Sequence, residues 1–146
     1  MFLRNYALYL LSEQAQEEEI LEAGGPQHKI NSSLVVNKSL TEIEQNLSLF
    51  MRNQTQQQQC PLIYYLLGVV QKQGNKTEEA KLNFVQALKL MPCLWSAWIE
   101  LSQMLEQRDQ FVDKLPETHW MRNFYLTNVN LIYHQEKEAI SLCQNL

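Results

Sequence analysis

The strongest constraint on this chain is an apolar pattern that runs once through residues 61–94 and then starts again. Tyr64, Leu67 and Gly68 are followed by Ala80, Phe84, Ala87 and Pro92. Trp98 then stands 34 residues after Tyr64, with Leu101 and Ser102 behind it. Such an order describes two helices made to pack on each other. Tyr64 and Leu67 share a helix face, and Gly68, lacking a side chain, lets a second helix approach its backbone. Phe84 lies between Ala80 and Ala87 at helical spacing and fills the seam. Pro92 cannot extend the helical hydrogen-bond ladder and ends the unit. In the turn, Gly74 is expected to adopt the left-handed stop, and Asn75 with Glu78 to form a capping pair for the next helix.

A 34-residue period with this order of residue types is the tetratricopeptide-repeat (TPR) signature. The fold expected is therefore all-α: helix-turn-helix repeats stacked into an α-solenoid, one repeat enlarged by an insertion and one degenerate. Gln71 departs from the pattern, standing where a large apolar residue is usual. Four glycines and four prolines in 146 residues are too few for a many-turned sheet. With 45% hydrophobic and 19% charged residues, the chain has the makeup of a folded protein.

Four segments follow. Residues 1–60 form an enlarged N-terminal helical repeat with an acidic and Gly-Pro-containing loop. Its first helix carries Leu3, Tyr6, Ala7 and Leu10 in the first-helix order of the repeat. Being apolar on nearly every side, that helix is expected to be covered on both faces. Glu13, Glu17, Glu18, Glu19 and Glu22 read as a solvated stretch. Ser39 with Glu42 is a capping box opening a helix with Leu40, Ile43, Leu47 and Phe50 on one face. Residues 61–94 are the well-formed TPR. Residues 95–117 are a degenerate one: the slots of its second helix fall on Lys114 and Thr118, and a short helix is expected at 109–114, stopped by Pro116. Residues 118–146 form a TPR-like helix pair carrying Trp120, Met121, Phe124 and Tyr125, then Ala139, Leu142 and Leu146. The apolar first helix and the last helix pair both lead to the expectation that the natural protein continues beyond them.

Catalytic chemistry has no foothold in these residues. There is no Gly-rich phosphate loop, nucleophile elbow or paired-carboxylate motif. His28, His119 and His134 have no Cys, Asp or Glu at metal-ligand spacing. Cys60 and Cys93 occupy similar places in successive units, next to Pro61 and Pro92, and read as inter-repeat packing. Trp95, Trp98 and Trp120 read likewise as core or inter-repeat packing. Three widely spaced cysteines, Cys143 being the third, argue against a disulfide framework and for a reducing compartment. No catalytic, metal or cofactor site is therefore expected, nor a small-molecule substrate. A net charge of −4 gives no basic footprint for nucleic acid. No apolar run approaches the ~20 residues that span a bilayer, and residues 1–11 lack the flanks of a signal peptide.

Binding remains. The inner surface of a solenoid is lined by the first helix of each pair, here Leu62, Tyr65, Val69 and Lys72, then Ser96, Ile99 and Gln103. TPR domains that grip chaperone C-termini resemble one another in a Lys and an Asn where this chain has Tyr65 and Val69. The groove is therefore suited to a helix or another subunit, unless a neighbouring helix buries it. Phe2, Tyr6, Tyr9, Tyr65, Val69 and Ile99 are the candidate interaction surface. The repeat core comprises Tyr64, Leu67, Gly68, Ala80, Phe84, Ala87, Pro92, Trp98 and Leu101.

Four stretches carry a closer resemblance. They are Tyr6-Ala7-Leu8-Tyr9, Tyr64-Tyr65-Leu66-Leu67-Gly68-Val69-Val70, Trp95-Ser96-Ala97-Trp98-Ile99-Glu100-Leu101 and Leu115-Pro116-Glu117-Thr118-His119-Trp120-Met121. The last two are not demanded by an ordinary TPR. Together they resemble the family of the eighth subunit of the anaphase-promoting complex (cyclosome), a multisubunit ubiquitin ligase of the cell-division cycle. The resemblance implies a non-catalytic scaffold in the nucleus and cytoplasm that homodimerises through its N-terminal repeats and stacks with other TPR subunits. It also implies that this chain corresponds to part of the N-terminal half of a longer protein. The alternative is a stand-alone TPR adaptor for a partner peptide or chaperone.

Overall fold

A computed structural model describes residues 1–22, 38–53, 59–104, 114–116 and 119–144. The described residues form seven helices and no strand. They are α1 (Phe2–Glu22), α2 (Lys38–Arg52), α3 (Pro61–Gln73), α4 (Thr77–Leu90), α5 (Trp95–Gln103), α6 (Trp120–Ile132) and α7 (Glu136–Cys143). The chain divides into two compact units, residues 1–58 and 59–146. The all-α, TPR-like architecture expected from the 34-residue period is the one observed. The short helix expected at 109–114 falls almost wholly outside the described residues, as do His28, Thr118 and Leu146.

In the first unit α1 lies against α2. Ile43 and Leu47, one turn apart on α2, are buried. Among the described side chains of α1, Asn5 and Ser12 are buried, whereas Leu3, Tyr6, Leu10 and Leu11 are exposed. The expected cover on both faces is therefore absent within the described residues, and the inward face is not the one marked by Leu3 and Ala7. Asn5 and Ser12 can be buried because their side chains donate to their own helix. Asn5 Nδ2 reaches Met1 O at 3.1 Å, and Ser12 Oγ reaches Tyr9 O at 2.7 Å. α2 begins at Lys38, so Ser39 lies inside the helix, two residues past the position a cap would take.

In the second unit each helix packs on the next, α3 on α4, α4 on α5, α5 on α6 and α6 on α7. Pro61 opens α3 at a position that needs no amide donor. Phe84, Ala80, Leu88, Trp98, Leu101 and Tyr125 form one buried cluster with Leu115 and Met121. The Phe84 ring abuts Gly68, where any Cβ would intrude upon it. Trp98 is wholly buried, tilted against Tyr125 at 4.9 Å between ring centroids, and its Nε1 donates to Pro92 O at 2.8 Å. That bond ties the proline turn to the helix after it.

The two helical hairpins of this unit turn in the same way. After α3, Lys76 N donates to Gln71 O (2.9 Å) and Asn75 N to Lys72 O (3.1 Å). After α6, Gln135 N donates to Asn130 O (2.8 Å) and His134 N to Leu131 O (3.1 Å). Both are Schellman stops, and the left-handed residue is Asn75 (φ 58°) in one and His134 (φ 56°) in the other. Gly74, at φ −77°, does not take the left-handed position expected of it. Asn and His tolerate this conformation better than most residues, and Asn75, one residue later, closes the bonds. The expected Asn75–Glu78 capping pair is absent as well. Lys76 is the N-cap of α4, and Glu78 pairs with Lys81 at 2.9 Å.

Gln71 is buried rather than turned outward. Its Nε2 donates to Glu79 Oε2 at 3.2 Å, and its Oε1 accepts from Asn83 Nδ2 at 2.7 Å. A polar residue occupies the apolar slot of the repeat because α4 supplies partners for both ends of its amide.

Candidate functional site

The candidate surfaces are helix faces, and the helices determine what each can offer. On α1, residues three and four apart lie side by side, so Phe2, Tyr6 and Tyr9 stack in a ladder. Phe2 and Tyr6 are 5.5 Å apart and nearly parallel, and Tyr6 and Tyr9 are 6.4 Å apart. Tyr6 is exposed while Phe2 and Tyr9 are half-buried. Leu3, at 77% exposure, and Leu10, at 48%, extend the apolar surface beside the ladder. Side chains of this size and chemistry are the kind that anchor protein interfaces.

The inner row of α3 and α5 differs from that surface. Tyr65 and Val69 are half-buried and pack against the core cluster, Tyr65 tilted on Phe84 at 5.9 Å. Ile99 is exposed. Lys72 bridges the two repeats, its Nζ 2.7 Å from both Glu100 Oε2 and Gln103 Oε1. Two of the three donors of its ammonium are engaged in this way. Leu67, Gly68, Ala80, Phe84, Ala87, Trp98 and Leu101 are buried, and Tyr64 and Pro92 half-buried.

Of the tryptophans read as core or inter-repeat packing, Trp120 departs from that role and Trp95 keeps it. Trp120 is 58% exposed, because as the first residue of α6 it precedes the turn that packs inward at Met121. Trp95 is 36% exposed and makes an edge-on contact with Phe124 at 5.6 Å. Neither lies in the buried core; the Trp95–Phe124 contact packs α5 against α6, between successive units.

Cys93 also departs from the packing role expected of it: it is exposed, and its Sγ lies 3.6 Å from His119 Nε2. His119 caps α6, its Nδ1 accepting from Met121 N at 3.3 Å. Sequence spacing offered no signal for this pair, which stands 26 residues apart and is joined by the α4–α5 turn meeting the start of α6. Cys60 and Cys143 carry free thiols as well. Among the described residues no group of three or more His, Cys, Asp or Glu could hold a metal ion, and no helix is long and apolar enough to cross a membrane.

Over residues 1–145 the chain matches the family described as Anaphase promoting complex subunit 8 / Cdc23. It is 34% identical over 141 residues to anaphase-promoting complex subunit 8 of Arabidopsis thaliana, covering 97% of this chain and 23% of that protein. To the cell division cycle protein 23 homolog of Homo sapiens it is 31% identical over 147 residues, covering 99% of this chain and 23% of that protein. A similarity to anaphase-promoting complex subunit 8 of Dictyostelium discoideum, 28% identical over 86 residues, covers 58% of this chain. The chain thus spans 23% of the length of the plant and human relatives.

Proposed function

Because the chain belongs to the Anaphase promoting complex subunit 8 / Cdc23 family, we propose that it serves as a non-catalytic scaffold segment of that complex. In this reading the complex is a ubiquitin ligase of mitosis, and the chain acts in nucleus and cytoplasm by self-association and by contacts with other TPR subunits. The observation that carries it is the exposed aromatic and aliphatic face of α1, with Leu3, Tyr6 and Leu10 beside the Phe2–Tyr6–Tyr9 ladder. A contiguous apolar surface of this kind marks a partner-binding face. The engaged Lys72, with Tyr65 and Val69 packed on the core, weighs against the stand-alone adaptor for a charged peptide tail.

Light scattering on the purified chain tests the self-association. The wild-type chain is expected to exceed its monomer mass of 17.2 kDa. Tyr6→Glu, which places a charge in the centre of the ladder, is expected to return it toward that mass with helical content unchanged. A wild-type chain that stays monomeric at every concentration reached would overturn the assignment of α1 as the contact.

A further inference from the structure

We propose that Cys93 is a site of reversible thiol modification, exchanging with small disulfides faster than Cys60 or Cys143 because His119 holds a ring N–H against its sulfur. The geometry is fixed from both sides. Cys93 sits in the α4–α5 turn, which is held by the Trp98 Nε1 bond to Pro92 O and by Leu94 N donating to Met91 O at 3.1 Å. His119 is fixed by its own capping bond: Nδ1 accepts from Met121 N. Neutral imidazole carries one ring proton. With Nδ1 engaged as an acceptor, that proton is on Nε2, the nitrogen that faces Cys93 Sγ at 3.6 Å.

In this tautomer Nε2 presents a proton, and not a lone pair, toward the sulfur. It donates to the sulfur, and such a bond strengthens when the acceptor carries negative charge, as the attacking thiolate does. The other cysteines are differently placed. Cys143 is equally exposed, but its Sγ donates to Thr127 Oγ1 at 3.9 Å, the opposite polarity. Cys60, at the N-cap of α3, shares the favourable field of a helix start but is half-buried.

The step balances without any further reagent. Cys93 releases its thiol proton to water, and Sγ attacks one sulfur of R–S–S–R. The S–S bond breaks as the Sγ–S bond forms, and RS⁻ departs and takes up a proton. The Cys93 sulfur is oxidised and the departing sulfur reduced, and excess thiol reverses the exchange.

The test is per-site mass mapping of the whole chain during reaction with oxidised glutathione, with parallel runs in denaturant. Cys93 is expected to react about tenfold faster than Cys60 or Cys143 in the folded protein, and at a similar rate once unfolded. His119→Asn keeps a side chain able to cap α6 but removes the ring N–H. It should slow Cys93 about fivefold or more while leaving Cys60 and Cys143 unchanged. Folded wild-type protein in which Cys143 or Cys60 keeps pace with Cys93 would overturn the proposal. So would an unchanged Cys93 rate in His119→Asn with native helical content.

Discussion

The Phe84 ring occupies the space that a side chain on Gly68 would need, since a Cβ built on Gly68 stands 2.9 Å from the ring. Phe84 is wholly buried, so the ring has no solvent side toward which to retreat. Gly68→Ala would gain up to about 1 kcal/mol in helix propensity. The overpacking it causes costs about 1–3 kcal/mol. The collision is therefore expected to win, and urea unfolding should show a lower midpoint for Gly68→Ala. Adding Phe84→Leu, which removes the offending ring, should make the Gly68→Ala change less costly than it is alone.

Trp98 separates packing from hydrogen bonding at one residue. Trp98→Phe keeps an aromatic ring beside Tyr125 but leaves Pro92 O without its donor, a loss of about 1–3 kcal/mol. Trp98→Ala removes a wholly buried side chain and should cost about 3–5 kcal/mol. Denaturant unfolding of the two variants should rank them in that order.

The two left-handed stops are sites where the sequence carries strain. A non-glycine residue in this conformation costs about 1–2 kcal/mol, part of which glycine recovers against its own loss of chain entropy. His134→Gly is expected to raise stability by about 0.5–1 kcal/mol, and Asn75→Gly by less, because asparagine is the better tolerated of the two. Thermal melts of the single variants check both values.

Tyr125 makes stability depend on alkaline pH. Among the described residues its buried hydroxyl has no hydrogen-bond partner. Burial, with the nearby Tyr133 second, raises its ionisation well above the ordinary 10.0. Above about pH 10 the unfolded chain releases this proton while the folded chain retains it, so unfolding is favoured as pH rises. Below pH 10 the contribution is fully present. Tyr125→Phe keeps the ring on Trp98 and removes the orphaned hydroxyl. It should be neutral to about 1 kcal/mol stabilising at pH 7. It should also lose less stability than the wild type between pH 9 and pH 11, measured by urea unfolding.

Much of this fold was legible because the central repeat constrains itself twice, by period and by residue size. Gly68 against Phe84 follows from that order, whereas the Trp98 bond to the Pro92 turn depends on how the two helices meet. α1 was harder to read, since a helix apolar on nearly every side does not declare which face turns inward. Asn5 and Ser12 took that face by bonding to their own backbone, which leaves no apolar signal in the sequence. The turn residue was ambiguous for a local reason, because Gly74 and Asn75 are neighbours and either tolerates positive φ. Gln71 was visible as a departure, but its partners Glu79 and Asn83 are fixed only when α4 folds back. The Cys93–His119 pair had no sequence signature, because a turn and a helix start bring it together across 26 residues.

The role proposed for this chain is that of a scaffold acting through contacts with subunits of the anaphase-promoting complex. Affinity capture of the tagged chain from dividing cells, with co-purifying proteins quantified by mass, tests it most directly. Other subunits of that complex are expected to be recovered in fixed proportion, reduced by Tyr6→Glu. Recovery of chaperones alone, with no subunit of the complex above background, would contradict it.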